Sequence, residues 1–212
     1  MKLRRIKTLL LVCVSVGIFS SCQKEADFGN TTITPGGVNT KITGDWQFIG
    51  LNSKTYVKVS VSQGGEDMQT ITTSDYVTEN NVGTVKITDG QFIFKGLGYT
   101  INDQAHSDIY IGGVLLDAMD MPFEFTNPPT DNTTDYVRNT NDSLTFKNGV
   151  SFVPDPSGTP TATAALVGAR FSVAGDTLTV SVITNEGQTI TQGGIPATFQ
   201  ARLEGTLKFK RQ

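Results

Sequence analysis

The chain has 212 residues, a formal net charge of −3, one histidine and two cysteines. An acidic balance lacks the basic surface with which proteins bind the phosphates of nucleic acid, so no nucleic-acid partner is expected. A chain of this length can form one domain whose core is large enough to fold without disulfide bonds.

The first residues have the organisation of an export signal. Residues 1–7 contain four cations and no acid, and residues 9–19 form a mostly apolar stretch. This stretch is shorter than the roughly 20 residues that span a bilayer, and it has the length of the apolar region of a secretory signal. Residues 19–22 (FSSC) resemble the lipobox of bacterial lipoproteins. The resemblance implies that residues 1–21 are a signal peptide and that Cys22 is the acylated first residue, held in a membrane by fatty-acyl chains such as palmitate.

Removal of the signal peptide and acylation of Cys22 change the chemistry of the chain. Cys13 leaves with the signal, so no thiol remains for a disulfide bond or for nucleophilic catalysis. Four of the 17 basic residues and none of the 20 acidic residues are lost, which takes the formal net charge from −3 to −7. Stability must therefore come from the core alone.

Residues 22–40 are predicted to be the acylated cysteine and a flexible spacer. The segment is polar, contains Pro35-Gly36-Gly37 and shows no apolar period. The acidic residues directly after Cys22 resemble the tether of surface-exposed lipoproteins of Bacteroidetes-type bacteria. We therefore expect a lipid-anchored protein of the outer membrane that faces the cell surface, with the periplasmic leaflet as the alternative.

From Lys41 onward, apolar and polar side chains alternate with a period of two, which predicts β-strands. The alternating runs include residues 57–61, 92–94, 178–182 and, as the longest, 199–209. Residues 127–141 and 153–165 are rich in Pro, Asn, Thr and Ser and are predicted to be exposed loops. Residues 113–119 are ambiguous between strand and helix. Many short strands separated by turns predict an all-β domain, either a barrel or a sandwich.

Residues 44–46 (GDW), at the start of the first predicted strand, resemble the Gly-x-Trp motif of the lipocalin or calycin barrels, and residues 134–136 (TDY) resemble the second motif of that family. A lipoprotein signal followed by such a domain is similar to the lipocalin-like lipoproteins of Bacteroidetes-type bacteria. The resemblance implies a single antiparallel β-barrel over residues 41–212. It also implies a structural motif of Gly44, Trp46 and Arg202, in which Arg202 packs across the Trp46 ring. A β-sandwich of the immunoglobulin-like or jelly-roll type is the alternative.

A ligand site is predicted in the least polar part of the mature chain, residues 110–121. Met119 and Met121 adapt to irregular shapes and suit a ligand-lined cavity, and Tyr99 and Tyr110 add aromatic surface. The alternative is that these four side chains only fill the interior of a barrel. Trp46 is expected to pack in the core rather than to contact a ligand.

One polar string contains residue types that can bind a metal ion. The only histidine, His106, lies near Asn102, Asp103 and Asp108, and their oxygen and imidazole groups suit a divalent cation. A solvated turn is the expected structure of such a string. No metal site and no cofactor are therefore predicted.

Two pairs of carboxylates are candidates for a catalytic acid and base. Glycoside hydrolysis needs two carboxyl groups roughly 5–10 Å apart, and the candidate pairs are Asp117 with Asp120 and Glu66 with Asp67. The chain has no Gly-x-Ser-x-Gly motif, His-Glu-x-x-His motif or phosphate-binding loop. No catalytic residue is predicted, and the chain is not expected to be an enzyme.

Three functions follow from the sequence, in order of preference. The first is a non-enzymatic lipoprotein whose barrel mouth binds a small apolar or amphipathic ligand, or a glycan fragment. The second is a protein-interaction or enzyme-inhibitor module whose loops contact another protein of the cell envelope. The third is a hydrolase. An interior cavity of several hundred cubic ångströms favours the first function, and a filled interior favours the second.

Overall fold

The computed structural model describes residues 41–148, 166–192 and 195–212. The predicted signal peptide, Cys22 with its spacer, and the predicted loop 153–165 lie outside these residues. In the described part of the chain, all the regular elements are β-strands, which confirms the predicted all-β class. None of the described residues forms a helix long and apolar enough to cross a membrane.

The described residues form nine strands. They are β1 (Gly44–Gln63), β2 (Glu66–Val77), β3 (Glu79–Ile87), β4 (Gln91–Ile111), β5 (Val114–Arg138), β6 (Ser143–Phe146), β7 (Val167–Ala174), β8 (Thr177–Gln192) and β9 (Ile195–Arg211). The prediction of one long C-terminal strand is confirmed by β9, in which Leu207 and Phe209 are buried while Lys210 is exposed.

All nine strands belong to a single antiparallel sheet, in the order β2-β1-β3-β4-β5-β6-β7-β8-β9. The sheet closes in a ring because β1 also pairs with β9, from Trp46 opposite Arg211 to Val61 opposite Ala197. β2 and β3 share one position in this ring, between β1 and β4. β3 pairs with the beginning of each neighbour and β2 with the end.

The two ends of the ring differ. At the end that carries the start of β1 and the end of β9, which we call the closed end, the short strands β6 and β7 complete the circle between β5 and β8. Beyond them, six strands continue as what we call the open sheet, in the order β8-β9-β1-β2-β4-β5. The open sheet comprises residues 55–63 of β1, 66–74 of β2, 105–111 of β4, 114–121 of β5, 184–192 of β8 and 195–203 of β9.

Aromatic side chains fill the closed end. Phe92 meets the rings of Tyr136 and Phe146 edge-on, with centroids 5.1 and 5.2 Å apart. Phe48 lies 5.8 Å from Phe209 across the β1–β9 pair. Such tilted and edge-on contacts are the favoured geometry of aromatic pairs, and the rings bury large apolar areas. The closed end is therefore a packed base rather than a cavity.

Trp46 lies where the first and last strands meet. Its side chain is fully buried, and its Nε1–H donates a hydrogen bond to the carbonyl of Ile42 at 2.8 Å. The guanidinium of Arg211 lies 4.4 Å from the centre of the Trp46 ring, in a cation–π contact. The φ of Gly44 is 132°, a conformation that favours glycine.

The prediction that Arg202 packs across Trp46 is wrong, since Arg211 occupies that place. Arg202 is opposite Tyr56 in the register, far along β1 from Trp46. Its guanidinium instead forms an ion pair with Glu204, at 2.8 Å. The last strand does supply the arginine, but from its final residue.

The ambiguous segment 113–119 and most of the predicted loop 127–141 belong to a strand, so the loop prediction is wrong. β5 begins at Val114 and ends at Arg138. It therefore includes nearly all of residues 113–119 and most of residues 127–141. Prolines 128 and 129 are tolerated because, among the described residues, this stretch of β5 pairs only with β4, and the pairing is irregular between Leu97 and Tyr99. In the same described part of the chain, only Tyr136–Arg138 of β5 have strand partners on the other side.

Candidate ligand-binding face

The open sheet presents to solvent the side that continues the interior of the closed end, and we call this side the inner face. On β1 and β9 the inner face is apolar. The register places Val57 beside Ala201 and Val59 beside Phe199, and all four side chains are half-buried. The same two-residue alternation that fills the closed end thus produces an apolar surface where the ring is incomplete.

The inner face is polar along β2, where Thr70, Thr72 and Ser74 follow one another on this side. The hydroxyls of Thr55 and Ser74 are 2.6 Å apart, and those of Thr72 and Ser107 are 3.3 Å apart. These hydrogen bonds join β1, β2 and β4 across the sheet. Hydrocarbon on β1 and β9 and a row of hydroxyls on β2 make the inner face amphipathic.

The four predicted ligand residues are only partly brought together. Met121 and Met119 are opposite Ala105 and Ser107, which places both on the inner face, with 37% and 38% of their surfaces exposed. Tyr99 is buried deeper, with its ring 6.3 Å from those of Phe48 and Phe125.

Burial raises the pKa of Tyr99, which stays a neutral phenol at ordinary pH. Tyr110 pairs with Gln69, and the next pair along these strands, Met68 with Ile111, is on the inner face. Because adjacent residues of a strand point to opposite sides, Tyr110 is on the outer side. The two methionines are therefore the part of the predicted site that the inner face contains.

Ser53 marks the boundary between the closed end and the open sheet. It is opposite Tyr76 of β2 and Gly205 of β9, and its side chain is buried. Its Oγ has no hydrogen-bond partner within the described residues. A buried hydroxyl without a partner is costly, so Ser53 is a polar point at the floor of the inner face.

The hairpin between β4 and β5 extends the apolar surface beyond the inner face. Val114, Leu115 and Leu116 are 70%, 51% and 65% exposed. Gly112 and Gly113 form the turn, with φ of 58° and 78°. Three consecutive exposed aliphatic residues are unusual on a protein surface and indicate a contact site.

The best-formed depressions of the described surface are broad and open rather than enclosed. One, of about 490 Å³, is lined by Ile101, Asn102, Glu124, Phe125 and Thr126. The other, of about 410 Å³, lies where the outer-side residues Lys54, Asp75, His106 and Asp120 meet. The inner face is therefore an open surface above a filled base.

The outer side of the open sheet carries the only histidine. His106 Nδ1 is 2.7 Å from Asp120 Oδ1, and Nε2 is 3.2 Å from Asp108 Oδ1. The hydrogen bond to Asp120 raises the pKa of His106 above its ordinary value of 6.5, and the charge of Asp108 adds to the rise. Because both ring nitrogens already face carboxylates, the arrangement favours an imidazolium. No group of three or more metal-ligating side chains occurs within the described residues.

The raised pKa gives a direct test. Replacement of Asp120 by asparagine is expected to lower the pKa of His106 towards 6.5, because the main cause of the rise is removed. The favourable interaction contributes to folding stability fully below about pH 6.5 and is lost as the pH rises through the folded-state pKa. NMR titration of the single histidine measures this value without assignment ambiguity.

The matched control is Asp117→Asn, on the same strand but on the inner face. It should leave the pKa of His106 unchanged. An equal fall in both variants would show that general charge, and not the Asp120 contact, controls the imidazole.

The carboxylate pairs considered for hydrolysis do not face each other. Asp117 is opposite Ile109 on the inner face, and Asp120 is opposite His106 on the outer side. Glu66 and Asp67 are adjacent in β2, so their side chains also point to opposite faces.

No model of a protein family, no curated protein and no solved structure matches this chain. The inner face and its surroundings are therefore the basis on which a function is proposed. Sequence reasoning missed the hydroxyl row of β2, although Thr70, Thr72 and Ser74 recur with a period of two. Only the pairing with β1 shows that they share a face with Val57 and Val59.

Proposed function

We propose that this chain is a non-enzymatic lipoprotein of the bacterial outer membrane, anchored through Cys22, which binds an amphipathic small molecule on its inner face. In this proposal the ring is a β-barrel of the lipocalin or calycin type. The closed end is its base and the open sheet is the wall of its mouth. Nine strands in eight ring positions and the stack of Arg211 on Trp46 support that assignment.

The main support for the proposal is the amphipathic, half-exposed inner face, which lies directly above the packed closed end. Ligand sites of binding proteins are concave and mostly apolar, with a few polar groups that fix orientation. Val57, Val59 and Phe199 supply the apolar contact, and Thr70 and Thr72 supply hydroxyls.

The arrangement favours a ligand with one hydrocarbon side and one hydroxylated or polar side. The hydrocarbon side would lie on β1 and β9, and the polar side would face β2. Met119 and Met121 border the face on β5, where their flexible side chains adapt to ligands of different shapes.

Calorimetric titration tests the proposal. The mature-length chain (residues 22–212) with Cys22→Ser, which removes the anchor, is titrated separately with a fatty acid, a lysophospholipid and a neutral oligosaccharide. Binding of at least one probe is expected. Val59→Asp should weaken that binding by about tenfold or more, because the carboxylate must be desolvated against the ligand.

Ser60→Asp is the matched control, because Ser60 is the next residue of β1 and points to the outer side. It adds the same charge to the same strand and should leave the affinity unchanged. Absence of binding to all three probes, or equal weakening in both variants, would contradict the proposal.

The exposed hairpin tip favours one second function, a protein-interaction module. Val114, Leu115 and Leu116 offer aliphatic contacts at the end of the molecule opposite Trp46. The absence of an enclosed cavity among the best-formed depressions of the described surface agrees with this alternative. No hydrolytic site is proposed, since the candidate carboxylates lie on opposite faces of their strands.

A further inference from the structure

The open sheet has two free edges within the described residues. β5 from Val114 to Thr134 pairs only with β4, and β8 from Ile183 to Gln192 pairs only with β9. A free edge presents a row of backbone N–H and C=O groups to which another strand can pair.

The two edges are protected to different degrees. The free part of β5 contains three prolines and four acidic residues, which discourage strand addition: Asp117, Asp120, Pro122, Glu124, Pro128, Pro129 and Asp131. The free part of β8 contains no proline and a single charge, Glu186, and it is rich in threonine. β8 is therefore the edge that accepts an added strand.

Glu186 lies in the middle of this edge, on the inner face opposite Ala201. Burial by neighbouring groups raises the pKa of its carboxyl. Within the described residues, no cation and no hydrogen-bond donor contacts the Glu186 carboxylate. Because Glu186 is exposed, water solvates its carboxylate, and a lysine or arginine on an added strand would form a favourable ion pair with it.

We propose that the β8 edge from Ile183 to Gln192 binds an extended segment of another polypeptide, which adds a strand to the sheet and places a lysine or arginine beside Glu186. The backbone of β8 supplies hydrogen bonds along the added strand, and Glu186 selects the charge of its central side chain. This interaction lies beyond the proposed small-molecule site and does not depend on it.

The positions of lysine and arginine in the sequence distinguish a basic partner from a second copy of this chain at the β8 edge. The free parts of β8 and β5 contain no lysine or arginine, so a second copy paired through either edge would leave Glu186 without a counter-ion. Residues 149–165 of the chain also lack lysine and arginine. The ion pair with Glu186 therefore favours a basic segment of another polypeptide over either edge of a second copy and over residues 149–165.

Amide hydrogen exchange by NMR, on the mature-length chain with Cys22→Ser, tests the free edge. Alternate amides of residues 183–192, those that point away from β9, should exchange fast in the free protein. Slow exchange of these amides in a monomer would show that the chain covers its own edge. Slow exchange in a dimer would show that a second copy does so. Either result overturns the proposal.

Two synthetic peptides then probe the added strand. Both alternate threonine and valine, and they differ only in a central lysine or glutamate. The lysine peptide should bind about fivefold more tightly and protect the alternate amides of β8. Glu186→Lys should reverse the preference, whereas Asn185→Lys, on the other face of the same strand, should reverse nothing. Equal binding of both peptides to the unaltered edge, or protection elsewhere in the protein, would overturn the proposal.

Discussion

Replacement of Trp46 by alanine is expected to lower the free energy of unfolding by about 4 kcal/mol, because the substitution leaves a cavity the size of an indole in a fully packed site. The variant also loses the hydrogen bond to the Ile42 carbonyl and the contact with the Arg211 guanidinium. These interactions join the chain before β1 to the last residue of β9. The substitution therefore weakens the closure of the ring as well as its core.

Chemical denaturation followed by circular dichroism measures this effect, since Trp46 is the only tryptophan and its fluorescence is lost with it. The midpoint of thermal unfolding should fall by roughly 10 °C, at about 2–4 °C per kcal/mol for a chain of this size. Arg211→Met is the control, because it keeps the indole and the aliphatic stem. It removes the cation–π contact, worth about 1 kcal/mol, and the hydrogen bond from Arg211 to the Lys41 carbonyl, worth about 0.5–1.5 kcal/mol. A loss in Trp46→Ala no larger than that of Arg211→Met would show that the indole does not hold the ring closed.

The strands were predictable because their signal is local. In β9, Leu207 and Phe209 alternate with Lys208 and Lys210, and the structure buries the apolar set. A period of two needs no knowledge of the partner strand. Strand type and inward side chains could therefore be predicted for most of the chain.

The identity of the arginine that covers Trp46 could not be predicted from local alternation alone. In the alternating pattern of β9, Arg202 is on the polar side of the strand, whereas Arg211 is on the same side as Phe209. The side of the strand therefore favours Arg211 as the residue that packs on Trp46. The residue that reaches Trp46 is fixed by the register of β1 with β9, which pairs the beginning of one strand with the end of the other. Register depends on long-range pairing, and the sequence states it only indirectly.

The prediction of a loop at residues 127–141 was wrong because it was based on composition. Prolines 128 and 129 and the asparagines and threonines around them are typical of loops. The strand tolerates them because its second edge is free over most of its length within the described residues. Which strand lies at an edge is a property of the whole sheet, so neither this strand nor the free edge of β8 could be read from local composition.

Gly83→Ala is expected to destabilise the closed end by about 4 kcal/mol. The φ of Gly83 is 104°, which costs any other residue roughly 1–2 kcal/mol. A Cβ at this position would also lie 2.6 Å from the carbonyl oxygen of Gly96 and from the Cα of Leu97. These are backbone atoms of the neighbouring strand, so no side chain can rotate away, and overpacking adds about 1–3 kcal/mol.

Gly65→Ala separates the two causes of this loss. Gly65 also has a positive φ, of 85°, but a Cβ there meets no atom within 4 Å. Its replacement should cost only the backbone term of about 1–2 kcal/mol. Urea denaturation of the two variants gives the difference, and equal losses would show that β4 can move away from β3. An excess in Gly83→Ala would instead show that the irregular β3–β4 pairing depends on close contact between the two backbones. The hydrogen bond from Gln47 to the Gly83 carbonyl, at 2.8 Å, ties that contact to β1 and so to the closure of the ring.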